Sequence, residues 1–157
     1  MKNRLKAAMK SSISEILETM FFVSLEFDES GNFDDFIQSA NGNLSASRLR
    51  FGGDLSGSFF FYAPESVLLT ITENFLAQDR YSITKNHVEG TLKEITNMIA
   101  GSTLSSFDKQ ALFNLNIPEV IDTNRKFESF DEAGNEQIFF MINSLEGRLA
   151  AKLTFSI

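Results

Sequence analysis

Apolar positions in the first twenty residues recur at steps of three and four. Leu5, Met9, Ile13, Ile16, Leu17 and Met20 share one side of a helix over about residues 3–20. A short strand is expected from Phe22 to Phe27, and the polar run DESGNFDD after it reads as a loop. Residues 44–51 and 55–62 are runs rich in Ser and Phe, separated by Gly52, Gly53 and Asp54, which predicts a hairpin. Pro64 stands where a helix can begin, and helical spacing continues over about 65–78. The longest periodic segment follows, from about Thr84 to Phe107, with Thr84 as its expected N-cap. Val88, Leu92, Ile95 and Ile99 trace its core face.

After an irregular stretch ending at Pro118, the chain reads as a three-stranded meander. One strand runs from about Val120 to Phe127 or Phe130. After the loop DEAGN come QIFFMIN, the turn SLEG and a last strand over 148–157. That last strand alternates, with Leu149, Ala151, Leu153, Phe155 and Ile157 on one face and Arg148, Lys152, Thr154 and Ser156 on the other. Six strands in hairpins with two consecutive helices in the middle predict an α+β fold, an antiparallel sheet with one face buried under the helices. No internal linker, repeat or low-complexity tract divides residues 1–157, so a single domain is expected.

Composition narrows the function. A chain of 157 residues can bury roughly two-thirds of its unfolded surface. Its 17 Phe and absence of Trp suit a thick core with few polar atoms to satisfy. The formal net charge of −7, with no basic cluster beyond the scattered cations of the first ten residues, argues against nucleic acid as a partner. No apolar run approaches about 18 residues and no signal peptide is discernible, so a cytoplasmic protein away from the membrane is expected. The absence of Cys and the single His remove thiolate sites and multi-imidazole sites. Glycine-rich phosphate loops, serine-nucleophile elbows and zinc-helix motifs are also missing. The acidic pairs Asp28-Glu29 and Asp34-Asp35 read as solvated turns, and no metal site is expected.

One feature is sharper. Roughly 150° around the third long helix from its core stripe lies a second stripe: His87, Gly90, Glu94, Asn97 and Gly101. Glu94 and Asn97 stand at i and i+3, so they point the same way from adjacent turns. Each interior helical Gly costs roughly 1 kcal/mol relative to Ala. A bare helix surface with two polar side chains rising from it suits close docking of a partner. Glu-x-x-Asn also occurs at Glu29/Asn32 and Glu132/Asn135, both in turn sequences. From spacing and amphipathicity alone, a solvated helix face is the favoured reading of Glu94 and Asn97 over a functional site.

The segment EGTLKEITNMIAGSTLSSF, residues 89–107, resembles the signature helix of the CheC/CheX/FliY chemotaxis phosphatases. The segment ISEILETMFFVSLEF, residues 13–27, is similar to the opening helix and strand of CheX-like members. The order of elements extends the resemblance over nearly the whole chain. Gly90 stands where the family usually has Asp or Ser, and Pro118 approximates an expected downstream Pro. Ser14, Glu18 and Phe21 keep the outline of the second motif found in CheC, with Phe21 in place of Asn. The resemblance therefore implies one site per subunit. It also implies a phosphatase acting on the aspartyl phosphate of a CheY-like receiver domain, with Asn97 positioning water and Glu94 pairing with the receiver's Lys. Mg²⁺ would belong to the receiver, with no cofactor on this chain, while His87, Gly90 and Gly101 would serve docking. A noncatalytic adaptor is the alternative reading, and a small-molecule binding domain a third. A homodimer through sheet edges is expected, with LSGSFFFY, residues 55–62, as a poorly protected edge.

Overall fold

The computed structural model describes residues 1–40, 43–121 and 135–156. In chain order its elements begin with α1 (Lys2–Met20), β1 (Leu25–Asp28), α2 (Phe33–Ser39), β2 (Leu44–Gly53) and β3 (Ser56–Pro64). They continue with α3 (Glu65–Leu76), a 3₁₀ turn (Arg80–Ser82), α4 (Lys85–Phe107), β4 (Phe113–Leu115), β5 (Glu119–Ile121), β6 (Glu136–Ser144) and β7 (Arg148–Ser156). The fold is α+β. Seven strands form one antiparallel sheet in the order β1-β6-β7-β3-β2-β4, with β5 paired beside β4 along the outer edge of β2.

On one face, α1 and α4 press an apolar layer onto the sheet. Leu5, Met9, Ile13 and Leu17 of α1 meet Leu92, Ile95 and Ile99 of α4 and the strand residues Leu49, Phe59, Phe61, Leu149, Leu153 and Phe155. Val88 is half-buried at the margin of this layer. The core stripe expected for α4 is therefore the one it buries. Arg4 donates to the Phe107 carbonyl at 2.9 Å, and the Ser12 and Ser102 hydroxyls bond at 2.9 Å, so the two helices run antiparallel side by side.

Several expectations change. The first strand begins at Leu25, because Phe22 adopts a left-handed φ of 59° that breaks extension after α1. The loop expected over 28–35 contains the start of α2. Asn32 caps it, its side chain accepting from the Asp35 amide at 2.8 Å, and Asp34 and Asp35 in the first turn suit the positive helix end. α2 lies against the sheet's second face, where Phe36 joins Phe60, Tyr62, Met141 and Ala150 in a smaller cluster. β7 consequently lacks the solvated face its alternation suggested, since Lys152 and Thr154 are buried as well. Lys152 Nζ sits over the Phe33 and Phe60 rings at 4.7 and 4.8 Å. β4 forms where the sequence read as irregular.

The run 55–62 is not an edge. Most of it lies in β3, which pairs with β2 on one side and β7 on the other. Its near-continuous apolar character reflects burial on both faces, with Phe59 and Phe61 toward the helices and Phe60 and Tyr62 toward α2. Among the described residues, the free edges are β1 and the β4–β5 side. The strand expected from Val120 is described from Glu119 to Ile121; its continuation, the loop DEAGN before Asn135, and Ile157 lie outside the described residues.

Candidate functional site

α4 is anchored at its start by a reciprocal cap. Thr84 Oγ1 accepts from the His87 amide at 3.2 Å, while His87 Nδ1 accepts from the Thr84 amide at 3.1 Å. His87 thus closes the helix end, a task the sequence reading did not assign, and only its Nε2 edge is left for a partner. Further along, Thr96 donates to the Leu92 carbonyl at 3.0 Å and shares a hydroxyl hydrogen bond with Ser47 of β2. These contacts, with the buried Leu92, Ile95 and Ile99, fix the rotation of the helix and hence what its outer face presents.

That face carries Gly90, Glu94 and Asn97, all exposed, and the half-buried Gly101. A Cβ built on either glycine meets nothing within 4 Å, so no close packing in the chain demands glycine there. Among the described residues, neither the Glu94 carboxylate nor the Asn97 carboxamide has a hydrogen-bond or ion-pair partner. A free carboxylate and a free carboxamide on adjacent turns can together receive a cation and orient a polar ligand between them.

The other copies of the spacing are placed differently. Glu29 receives Lys10 Nζ at 2.5 Å, and this hydrogen bond is the main reason its carboxyl is held below the usual range. Asn32 is the cap of α2. Next to them, Asp28 is lowered chiefly by the Ser30 hydroxyl, which donates to it at 2.6 Å. Glu132 lies outside the described residues. On α1, Ser14 donates to Glu18 at 2.8 Å, but Phe21 is fully buried against Phe75, ring centroids 4.5 Å apart. No second site is built there. Among the described residues no group of three or more His, Cys, Asp or Glu is arranged to hold a metal ion, and no helix is long and apolar enough to cross a membrane.

Two clefts flank α4. The larger, about 490 Å³, lies between its first turns and α3, lined by Leu68, Val88, Leu92 and Val120 with Glu65 and Lys85. It shares only α4 with the outward stripe, and Lys85 and Glu89, the charged residues that α4 gives its lining, pair with each other. The smaller, about 350 Å³, borders Gly101 itself and includes Leu112 and Leu115, residues no sequence pattern singled out.

An antiparallel sheet with α1 and α4 side by side on one face is the class of fold seen in solved CheX and CheC-like chemotaxis proteins. The family profile described as Chemotaxis phosphatase CheX matches residues 45–143, more than half of the chain. The chain belongs to the CheX family. It is similar in structure to the chemotaxis protein CheX from Vibrio vulnificus, with TM-score 0.70 and 19% identity over 97% of this chain and 96% of that one. It is similar also to the CheX–CheY–BeF3–Mg²⁺ complex from Borrelia burgdorferi, with TM-score 0.74 and 16% identity over 96% and 97%. A CheC-like superfamily protein from a Shewanella species matches over 100% of both chains, with TM-score 0.71 and 20% identity. No curated protein matches in sequence.

Proposed function

We propose that this chain is a cytoplasmic phosphatase that hydrolyses the aspartyl phosphate of a CheY-like receiver domain, with residues 1–157 acting as one CheX-like domain. The observation that carries this reading is the pair Glu94 and Asn97, exposed and without internal partners, on a helix face kept low by Gly90 and Gly101. Membership of the CheX family, and a family relative solved together with CheY, support the receiver as partner.

The chemistry asks little of this chain. In a phosphorylated receiver, the metal and a lysine that neutralise the phosphoryl group belong to the receiver, and the missing element is a positioned water. Asn97 enters the receiver's site, and its carboxamide, neutral and both donor and acceptor, aims a water in line with the phosphorus. The water oxygen bonds to phosphorus, the bond to the aspartyl oxygen breaks, and inorganic phosphate and a free carboxylate result. Glu94 pairs with the receiver's Lys and sets the docking register. No cofactor is needed on this chain.

The test is phosphate release from a phosphorylated receiver of the same organism. Asn97→Ala is expected to abolish most turnover, on the order of 10²-fold as for other groups acting in the transition state, while receiver binding stays near wild type. Wild-type turnover no faster than spontaneous hydrolysis, with binding retained, would instead identify an adaptor. The protein is further proposed to be a homodimer. Its contact is the free edge of β4 and β5, where Ile117 and Val120 are exposed, rather than the run 55–62.

A further inference from the structure

We infer that the cleft beside Gly101 is a preformed socket for an apolar side chain of the docked receiver, and so a determinant of which receiver is accepted. The inference rests on the phosphatase reading for the identity of the partner, but the cleft itself is a feature of this chain.

The cleft of about 350 Å³ is walled by Gly101 and Leu104 of α4 and by Leu112, Phe113 and Leu115 around β4, with Ser105, Asp108 and Lys109 also in its lining. Its walls are mainly apolar, and Leu112 and Leu115 are 82% and 39% exposed. Gly101 gives the cleft its helix-side opening. In a helix interior glycine is less favourable than alanine by roughly 1 kcal/mol, and here, among the described residues, nothing beyond its own neighbours and helix backbone lies within 4 Å of where its Cβ would be. The internal packing therefore does not require glycine at 101.

The opposite wall is held in place. Asp108 Oδ1 accepts from the amides of Gln110 and Ala111 at 3.0 and 3.2 Å, and the Asp108 amide donates to the Leu104 carbonyl at 3.2 Å. The turn that leads to Leu112 is thereby tied to the end of α4, so its backbone is already in place for an incoming side chain.

Position selects the occupant. Gly101 is four residues beyond Asn97 on the same stripe, about 6 Å along the helix. A stable partner covers about 800 Å² on each side, far more than Glu94 and Asn97 present. A receiver close enough for Asn97 to reach its phosphoryl group therefore also covers the cleft. The docking line then has three points along about 10 Å of helix: Glu94 for a cation, Asn97 for the water, and the cleft for a residue such as Leu, Met or Phe. A receiver with a charged residue at the third point would have to desolvate it against Leu104, Leu112, Phe113 and Leu115. Of the charged lining residues, Asp108 already accepts from its own turn and Lys109 suits only an anion, so the cleft discriminates most strongly against a cation among receivers that share the phosphorylation site and the Lys.

The experiment compares wild type, Leu112→Ser, Gly101→Leu and Asn97→Ala. It reads binding to the receiver loaded with BeF3 and Mg²⁺, phosphate release, circular dichroism and mass in solution. Leu112→Ser is expected to weaken receiver binding about ten-fold and to lower kcat/KM in proportion, with the spectrum and mass unchanged. Gly101→Leu, which fills the cleft from the helix side, should weaken binding at least as much. Binding within two-fold of wild type for both variants, while Asn97→Ala still loses turnover, overturns the socket and leaves the phosphatase reading standing. Loss of dimer mass with unchanged receiver binding also overturns it, by assigning the cleft to a second copy of the chain. No binding of the receiver by the wild type overturns the socket together with the reading on which it rests.

Discussion

Glu29 and Asn32 repeat the spacing of Glu94 and Asn97, yet only the second pair is free to act on another molecule. Glu29 is engaged by Lys10 and the Asn32 side chain by the Asp35 amide, so each serves this chain's own surface. Glu94 has no such partner, and a carboxylate left free in this way is available to a cation on a docking protein. Replacing it with Gln keeps the shape and removes the charge. Glu94→Gln is therefore expected to weaken binding of the BeF3-loaded receiver by about ten-fold or more at low ionic strength, since hydrogen bonds to charged groups contribute on the order of 1.5–3 kcal/mol. The gap from wild type should narrow as salt screens the pair. Equal affinities at every salt concentration would remove Glu94 from the interface. Gly90 leaves open space beside this pair, which would let a docked receiver approach the helix backbone there.

At the scale of elements, α4 positions the site because its buried side is broad. Thr91, Thr96, Ala100 and Thr103 widen the stripe of Leu92, Ile95 and Ile99, and the α1 contacts hold its flank. The threonines read as polar in a sequence pattern but are buried here: Thr96 donates its hydroxyl to the Leu92 carbonyl, whereas the Thr103 hydroxyl is buried without a partner among the described residues. α2 was hidden for a different reason. Seven residues with an Asn cap and two acidic residues look like a turn until Phe36 is seen inserted under the sheet. Phe36→Ala should cost roughly 3–5 kcal/mol of stability in a denaturant titration. Because α2 covers the face opposite α1 and α4, folded Phe36→Ala protein should still dephosphorylate the receiver. Selective loss of turnover in protein that is still folded would couple the two faces in a way the layering gives no reason to expect.

At the scale of the whole molecule, the closed middle of the sheet moves the question of assembly to its margins. β3 and β7 are paired on both sides, whereas among the described residues β4 and β5 have an unpaired side, with Ile117 and Val120 exposed nearby. Light scattering at micromolar concentration is expected to give a dimer mass. Ile117→Lys should shift it toward monomer without loss of secondary structure, since that side chain is 88% exposed. A monomeric wild type would dispose of the dimer.

What the sequence determined by itself was local. The period of α1, α3 and α4, the Thr84 cap, the hairpin at Gly52-Gly53-Asp54 and the outward stripe of α4 all depend on residues within a few positions of one another. Helical and strand geometry then dictates which of them share a face. Only the tertiary structure decided what depends on partners distant in the chain. β3 is interior because β7, about ninety residues later, pairs with it. Phe21 is core because Phe75 meets it, and Glu29 is occupied because Lys10 reaches it from α1. The cleft at Gly101 exists because the turn after α4 brings Leu112 and Leu115 back alongside the helix. An apolar run reads the same at an edge as in the middle of a sheet, and Glu-x-x-Asn reads the same when its groups are satisfied as when they are free. The difference lies in neighbours that long-range packing alone supplies.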